Sequence, residues 1–349
     1  MRFGPLIATA CLAATACSGD GGTPPSATPT SAPTARPTWA TSAPAASTST
    51  TFSRSSAGCD EPAAPAGLTD RTMMSGGVER MFRLVVPDGY DGRTALPVVF
   101  GLHALTVSHL AVPSISGYDE MATRYDFIAV YPSGRLNGTT PYWLAAPVPG
   151  NHDVRFVGEL LDLLETELCI DPARVFAAGM SNGGQMSSVL ACQLADRITA
   201  VAPISGVEFS DSCRGRPVPV MAFHGDADPI VHYDGGGLNA TRITDMNYWH
   251  GEVPAGLPEH EGVEAAMRNW ARHNGCDPEP LEVRLSPEVV RRTWERCDAD
   301  TILYVVEGGG HAWPGKPFPQ FEASFGHGTD DIDATTLMFE FFFEQMLRR

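Results

Sequence analysis

The sequence predicts an α/β fold in which a mostly parallel central sheet is covered by helices on both faces. Short apolar runs without alternation recur along the chain, as in LPVVFGL at 96–102, and such runs are typical of strands buried on both sides. Segments with apolar residues three and four positions apart lie between these runs, as expected of helices packed on a sheet. The chain has 349 residues, 43% of them hydrophobic, so it can bury a core of this size.

The predicted elements follow one another from residue 78 to the C-terminal region. In VERMFRLVVP at 78–87, apolar and polar residues alternate enough to predict an early strand. Apolar spacing predicts helices over 154–168 and 263–270, and a last helix over 333–347 with Asp333 as its N-cap. The buried-strand pattern of 96–102 returns at 126–132, 174–179, 200–205, 218–225 and 302–309.

The first 16 residues are apolar apart from Arg2, and LAATAC ends at Cys17 after small residues. This pattern resembles a bacterial lipoprotein signal, which predicts that Cys17 is lipidated and that the protein is extracellular and anchored to the cell membrane. An ordinary signal peptide cut near Ala16 is the alternative. Residues 17–58 are rich in Ser, Thr, Ala and Pro and cannot bury enough apolar surface to offset the entropy of ordering, so they are predicted to be a disordered linker.

Residues 59–349 are the predicted single catalytic domain, and they contain six of the eight cysteines. An even number of cysteines in an exported domain predicts three disulfide bonds. One predicted pair is Cys276 with Cys297, which would close the segment before the last strand. The pairing of the other four is left open: Cys59, Cys169, Cys192 and Cys213.

Charge and motif content exclude several classes of partner. The formal net charge is −17 and no cluster of Lys or Arg is present, which argues against a nucleic-acid partner. No other segment has the roughly 18 apolar residues of a membrane-spanning helix, so membrane contact is expected only through the N-terminal lipid. The sequence has no CxxC or HExxH motif, and neither a metal nor an organic cofactor is predicted.

GMSNG at 179–183 fits the pattern G-x-S-x-G, with an apolar strand before it and a helical pattern after it. In that context Ser181 would sit on a sharp strand-to-helix turn as a nucleophile. The pentapeptide alone is a weak signal, because small residues at such turns are common for packing reasons.

Two further strand ends carry the partners that a serine nucleophile needs. VMAFHGDADPIV places Asp226 and Asp228 after one buried strand, and VVEGGGHAWPG places His311 after another. Side chains at the carboxyl edge of a parallel sheet converge on one site. The order Ser, Asp, His is the order that the α/β-hydrolase fold requires, so Ser181, His311 and one of the two aspartates are predicted to act together.

The remaining requirement is a pair of N–H donors for an oxyanion. The backbone N–H of Asn182, the residue after the nucleophile, is one candidate. The others are the amides of Ala104 and Leu105, in the loop FGLHALTVS that follows an early strand. His103 precedes Ser181, which does not fit the order of the triad, so it is interpreted as a residue that shapes this loop.

Several motifs in order resemble the esterase family that includes polyhydroxybutyrate depolymerase-like proteins, feruloyl esterases and acetyl xylan esterases. The resemblance runs from about Cys59 to the C-terminus. It implies that Ser181 is the nucleophile, that His311 is the general base and then acid, and that Asp228, in the pattern H-G-x-x-D-x-x-V, orients His311. The motifs are LVVPDGY, LPVVFGLHA, DFIAVYPSG, HDVRFV, CIDPARVFAAGMSNGGQMS, ADRITAVAPISG, VPVMAFHGDADPIV, NWARHNGC, VEGGGHAWPG and DIDAT.

The sequence departs from the pattern of this family at two places. His103-Ala104 stands where members usually have His-Gly, which affects the oxyanion loop. PYWLAAP lacks the neighbouring cysteines that many members have beside the tryptophan, here Trp143. Trp143 and Trp313, with His103, are candidates for the substrate pocket, and a buried packing role is the alternative for both tryptophans.

The leading hypothesis is a secreted or surface-tethered monomeric serine esterase. Its substrate would be a carboxylic ester. The candidate classes are polyhydroxybutyrate-type oligomers and feruloyl or acetyl esters of plant polysaccharide. An acyltransferase with the same triad is the first alternative, and product analysis with a competing sugar acceptor separates the two. A non-catalytic surface binding lipoprotein is the second, since a fold alone does not guarantee activity.

Overall fold

The computed structural model describes residues 55–62, 64–122, 124–237 and 259–345. Twelve strands lie within these ranges. Their bounds are β1 Gly67–Ser75, β2 Val78–Val86, β3 Leu96–Leu102, β4 Ile128–Pro132, β5 Arg135–Asn137, β6 Thr140–Tyr142, β7 Ile170–Met180, β8 Ala200–Ile204, β9 Val220–Gly225, β10 Leu281–Arg284, β11 Val289–Trp294 and β12 Thr301–Val306.

Ten of these strands form one sheet in the order β1-β2-β4-β3-β7-β8-β9-β12-β11-β10, and β5 and β6 form a separate hairpin. The six central strands, from β4 to β12, run parallel, and the strands at both edges are antiparallel. The carboxyl ends of β3, β7, β9 and β12 therefore lie along the same edge of the sheet. The predicted α/β-hydrolase architecture, with a mostly parallel central sheet, is confirmed.

Helices cover both faces of the sheet. The last helix begins after Asp333, whose side chain accepts a hydrogen bond from the N–H of Thr336, as the N-cap prediction requires. The described helices are α1 Val112–Ser116, α2 Tyr118–Met121, α3 His152–Glu167, α4 Asn182–Gln193, α5 Val263–His273, α6 Glu322–Phe325 and α7 Ala334–Glu344.

The alternation of side chains along each strand divides the core into two layers. On β3, Val98 and Phe100 join one buried cluster with α3, α4 and α5, and Val99 joins a second cluster with α1, α2 and α7. All seven residues of this strand are buried, which explains why it appears in the sequence as an unbroken apolar run.

Two disulfide bonds are present among the described residues. The predicted bond between Cys276 and Cys297 is one, and Cys59–Cys169 is the other. The prediction of three bonds is wrong, because Cys192 and Cys213 are free thiols. These two side chains are neighbours that share a hydrogen bond, which raises the pKa of Cys192 and lowers that of Cys213.

The predicted linker and the folded domain meet earlier than expected. Ser56 is buried, its hydroxyl donates to the carbonyl of Leu168 at 2.6 Å, and its N–H donates to the carbonyl of Ile170 at 3.0 Å. Folded contacts therefore begin at least three residues before Cys59. The predicted signal peptide, the lipidation residue Cys17 and linker residues 17–54 lie outside the described residues. Within the described part of the chain, no helix has the length and apolarity to span a bilayer.

Candidate active site

Ser181 occupies a strained turn between β7 and α4. Its φ of 56° and ψ of −124° are uncommon for a residue with a side chain, and such conformations persist only where the surroundings impose them. The neighbouring chain passes too closely for larger residues: a Cβ on Gly183 would lie 2.2 Å from the carbonyl oxygen of Leu102, and one on Gly179 would lie 2.5 Å from it. The glycines of GMSNG are therefore required by the approach of β3 to this turn.

Asp228 and His311 are in direct contact. Asp228 follows β9 and His311 follows β12, and the Nδ1 of His311 lies 2.7 Å from the Oδ2 of Asp228. The other carboxylate oxygen, Oδ1, accepts from the backbone N–H groups of Ile230 at 2.8 Å and Val231 at 2.9 Å. Since Asp228 can only accept when ionised, the Nδ1 of His311 carries the hydrogen and its Nε2 is left to act as a base.

The electrostatics of Asp228 favour the ionised form. Burial alone raises the pKa of this carboxyl, but the nearby His311 and hydrogen bonds from His224 and His311 outweigh burial and hold the pKa well below its usual range. Asp226, the other sequence candidate, is exposed, and its Oδ1 accepts from the N–H of Gly308 at 2.6 Å. The geometry therefore selects Asp228 as the partner of His311.

The loop after β3 lies beside the turn that carries Ser181. His103 is buried; its Nε2 accepts from the N–H of Gly134 at 2.9 Å, so its Nδ1 carries the hydrogen and donates to the carbonyl of Ala104 at 2.8 Å. Burial lowers the pKa of His103 to about 4, which keeps the ring neutral. The positive φ in this loop falls on Thr106, at 74°, and not on Ala104, so the side chain of Ala104 causes no backbone strain.

Trp143 connects the two sides of the predicted oxyanion hole. The Oδ1 of Asn182 accepts from the backbone N–H of Trp143 at 2.7 Å, and the indole N–H of Trp143 donates to the carbonyl of His103 at 3.0 Å. Sequence reasoning gave no indication of this connection, because the three residues are about 40 positions apart and the contacts involve backbone groups.

A buried ion pair holds the segment that carries Trp143. Arg80, on β2, donates to Asp153 Oδ1 at 2.6 Å and to the carbonyl of Ser133 at 3.0 Å, and Asp153 Oδ2 accepts from the N–H of Leu144 at 2.8 Å. Both side chains are 3% exposed or less. The sequence signal for this pair is an arginine within an apolar strand, and it was missed.

Ser181, His311, His103, Ala104 and Leu105 line one cavity of about 450 Å³. Trp313 also lines it, anchored by its indole N–H, which donates to Thr335 at 2.9 Å. Trp143 does not line it, because its side chain is fully buried beneath the loop, so its predicted place in the substrate pocket is wrong. The rest of the wall is mostly apolar: Leu102, Val107, Val112, Ile115, Met180, Ile230, Phe318, Phe321 and Phe325, with Thr106 and Gln320 as the remaining polar residues.

The aromatic part of this wall is tied to the loop that carries His311. Phe325 stacks on the imidazole with ring centroids 5.9 Å apart, and its carbonyl accepts from the N–H of His311 at 2.6 Å. Within the residues that the structure describes, no group of three or more His, Cys, Asp or Glu side chains is arranged to hold a metal ion.

Comparisons with known proteins find esterases among the relatives of this chain. No family model matches the chain. Feruloyl esterase B of Piromyces equi is 30% identical over 235 residues, which are 65% of this chain and 41% of that protein. Feruloyl esterase C of Emericella nidulans is 33% identical over 231 residues, which are 62% of this chain and 83% of that protein. The solved structure of an acetyl xylan esterase from Aspergillus awamori superposes with a TM-score of 0.53 at 16% identity. The matched region is 74% of this chain and 97% of the chain of that esterase.

The structural likeness shows the fold, and the sequence relatives show the class of chemistry: the chain is a carboxylic ester hydrolase of the α/β-hydrolase fold. More narrowly, it belongs to the family of the feruloyl esterases, because relatives of that name are at least 30% identical and the chain covers 83% of their length.

Proposed function

We propose that this protein is a serine esterase that works through an acyl-enzyme on Ser181. His311 Nε2 takes the hydroxyl proton as Ser181 attacks the ester carbonyl, and then protonates the leaving alcohol. Asp228 holds His311 in the required tautomer and stabilises the imidazolium. A water molecule, activated by the same histidine, releases the acid. The 2.7 Å contact between His311 and Asp228, at the cavity that Ser181 lines, is the observation that carries this proposal.

The backbone N–H of Asn182 is the proposed first donor to the oxyanion, and those of Ala104 and Leu105 are the candidates for the second. Asn182 begins α4, and the first backbone N–H groups of a helix have no partner within the helix. Ala104 and Leu105 line the cavity. One such donor typically contributes about 10² to 10³ in turnover. The Trp143 bridge supports this role, because it fixes the positions of both donor segments relative to each other.

The cavity favours an acyl group that is flat or short and apolar. Phe318, Phe321, Phe325 and Trp313 supply aromatic wall, and the described lining has no Lys, Arg, Asp or Glu to bind a charged acyl chain. Feruloyl and acetyl esters fit this description, and 3-hydroxybutyrate oligomers are the less apolar candidate. The acidic protein would act outside the cell, with Cys17 as its proposed lipid anchor.

Ester hydrolysis by purified wild type and Ser181→Ala tests the mechanism, with Ser187→Ala as a matched control. Ser187 is a buried serine on α4, the helix that follows Ser181, and its hydroxyl donates to the carbonyl of Gly184 at 2.7 Å. We expect Ser181→Ala to abolish release of p-nitrophenol from p-nitrophenyl acetate and Ser187→Ala to retain it. Activity that survives Ser181→Ala would contradict the proposal. A panel of methyl ferulate, acetylated xylan and 3-hydroxybutyrate oligomers then identifies the acyl group, and metabolic labelling with a fatty acid, compared with Cys17→Ala, tests the anchor.

A further inference from the structure

A second histidine, His224, contacts the carboxylate that His311 uses. It lies near the end of β9, and its side chain is fully buried. Its Nε2 is 3.0 Å from the carbonyl oxygen of Val231 and 3.4 Å from the Oδ2 of Asp228. Since the carbonyl oxygen of Val231 can only accept, Nε2 carries the hydrogen and donates to it, and Oδ2 of Asp228 is a second, longer contact of the same nitrogen.

The rest of the His224 ring lies among other buried groups. Its Nδ1 has no hydrogen-bond partner within the described residues, and its ring meets the edge of Tyr233 with centroids 5.9 Å apart. The polar contacts of this side chain in the described structure are therefore those of Nε2.

The two carboxylate oxygens of Asp228 have different neighbours. Oδ1 accepts from the amides of Ile230 and Val231, and Oδ2 lies 2.7 Å from Nδ1 of His311 and 3.4 Å from Nε2 of His224. His224 is therefore the second imidazole beside the oxygen that His311 uses.

We propose that His224 is a positioning residue for the esterase reaction, which orients Asp228 Oδ2 toward His311. The same N–H also binds Val231, so one contact fixes both the carboxylate and the turn that supplies its two amide donors. This inference rests on the proposed function of Ser181, His311 and Asp228, and it adds a fourth side chain to that set.

Three substitutions separate positioning from packing. His224→Gln keeps an amide N–H near the place of Nε2. His224→Asn carries the same amide but ends one methylene short, and His224→Phe keeps the ring without a donor. The measured quantities are the rate of labelling by a fluorophosphonate probe and kcat and KM on p-nitrophenyl acetate. All assays are run at a temperature well below the lowest thermal unfolding midpoint among the variants. We expect Asn and Phe to lose about tenfold in labelling rate and kcat with little change in KM, the lower end of the effect of a hydrogen bond to a charged group. Gln should stay within about threefold of wild type.

A double-mutant cycle shows whether the effect passes through Asp228. In an Asp228→Ala background, the Asn substitution at His224 should cause no further loss beyond about twofold, since the carboxylate it positions is gone. Losses that multiply would overturn the inference, as would equal losses in Gln and Asn or full activity in Phe. A wild-type protein that is not labelled at all contradicts the proposed function instead, so the two failures are distinguishable.

Discussion

Replacing Asp228 with asparagine should reverse the tautomer of His311 and leave the rest of the site in place. The two oxygens of Asp228 have different partners: Oδ1 accepts from two backbone amides at 2.8 and 2.9 Å, and Oδ2 accepts from His311 at 2.7 Å. An asparagine must put its carbonyl oxygen toward one set and its NH₂ toward the other.

The amide pair decides the orientation. If the NH₂ faced Ile230 and Val231, two buried N–H groups would be left opposite a donor, at about 1–3 kcal/mol each. With the carbonyl toward the amides, the NH₂ instead faces His311 and, at 3.4 Å, His224, which already donates to the carbonyl of Val231. His311 relieves its own conflict by moving its hydrogen from Nδ1 to Nε2, and it then cannot take the proton of Ser181.

The expected loss in kcat for Asp228→Asn is about 10⁴, equivalent to about 5.4 kcal/mol in activation free energy. KM and the unfolding midpoint should change little, because the amide keeps the volume and the backbone contacts. Steady-state hydrolysis of p-nitrophenyl acetate measures kcat and KM, and thermal unfolding measures the midpoint. Asp226→Asn is the matched control, since that carboxylate is exposed and accepts from Gly308. A loss below tenfold in Asp228→Asn, or equal losses in the two variants, would refute the reasoning.

Three further predictions concern the supports of the site. His103 has a pKa of about 4 in the folded protein, against an ordinary value of 6.5. The stability that the neutral ring provides is therefore present above about pH 6.5 and is lost as the pH falls toward 4, by up to ~3 kcal/mol. His103→Gln should flatten this part of a plot of unfolding free energy against pH. Trp143→Phe removes the indole N–H but keeps an aromatic ring, and we expect urea unfolding to show a loss of about 1 kcal/mol and kinetics to show a several-fold lower kcat; an unchanged kcat would mean that the bridge has no part in catalysis. Arg80→Met leaves the buried Asp153 without its partner and should cost about 3–5 kcal/mol in unfolding free energy, whereas Arg83→Met, from an exposed pair on the same strand, should cost less than about 1 kcal/mol.

The central strands and the order of the reacting residues could be predicted from the sequence because their physical causes are local. A parallel strand buried on both faces must be an apolar run, and the predicted 96–102 coincides with β3. The antiparallel strands β10 and β11 were not predicted, since LEVR and VVRRTW carry charges on partly exposed faces and give no such run. Their pairing depends on neighbours elsewhere in the sheet.

Some residues of the site could be predicted from local sequence, and others depend on contacts made only in the fold. Ser181, Asp228 and His311 were chosen because each follows a recognisable strand, and the structure puts Asp228 and His311 in contact and lines one cavity with Ser181 and His311. The sequence leaves Trp143 open between the substrate pocket and a buried packing role, because its position is set by hydrogen bonds to groups about 40 residues away. The sequence does not indicate a role for His224, since only the folded turn brings its Nε2 within 3.4 Å of Asp228.

The central claim is that Ser181 carries the acyl group. Rapid acid quenching of the enzyme during turnover of p-nitrophenyl acetate, followed by peptide mass spectrometry, measures it directly. The account predicts an acetyl adduct on the serine of GMSNGG, more abundant in Asp228→Asn if that variant slows deacylation more than acylation, and absent from Ser181→Ala. Sustained hydrolysis with no adduct on Ser181, or with the adduct on another residue, would contradict it.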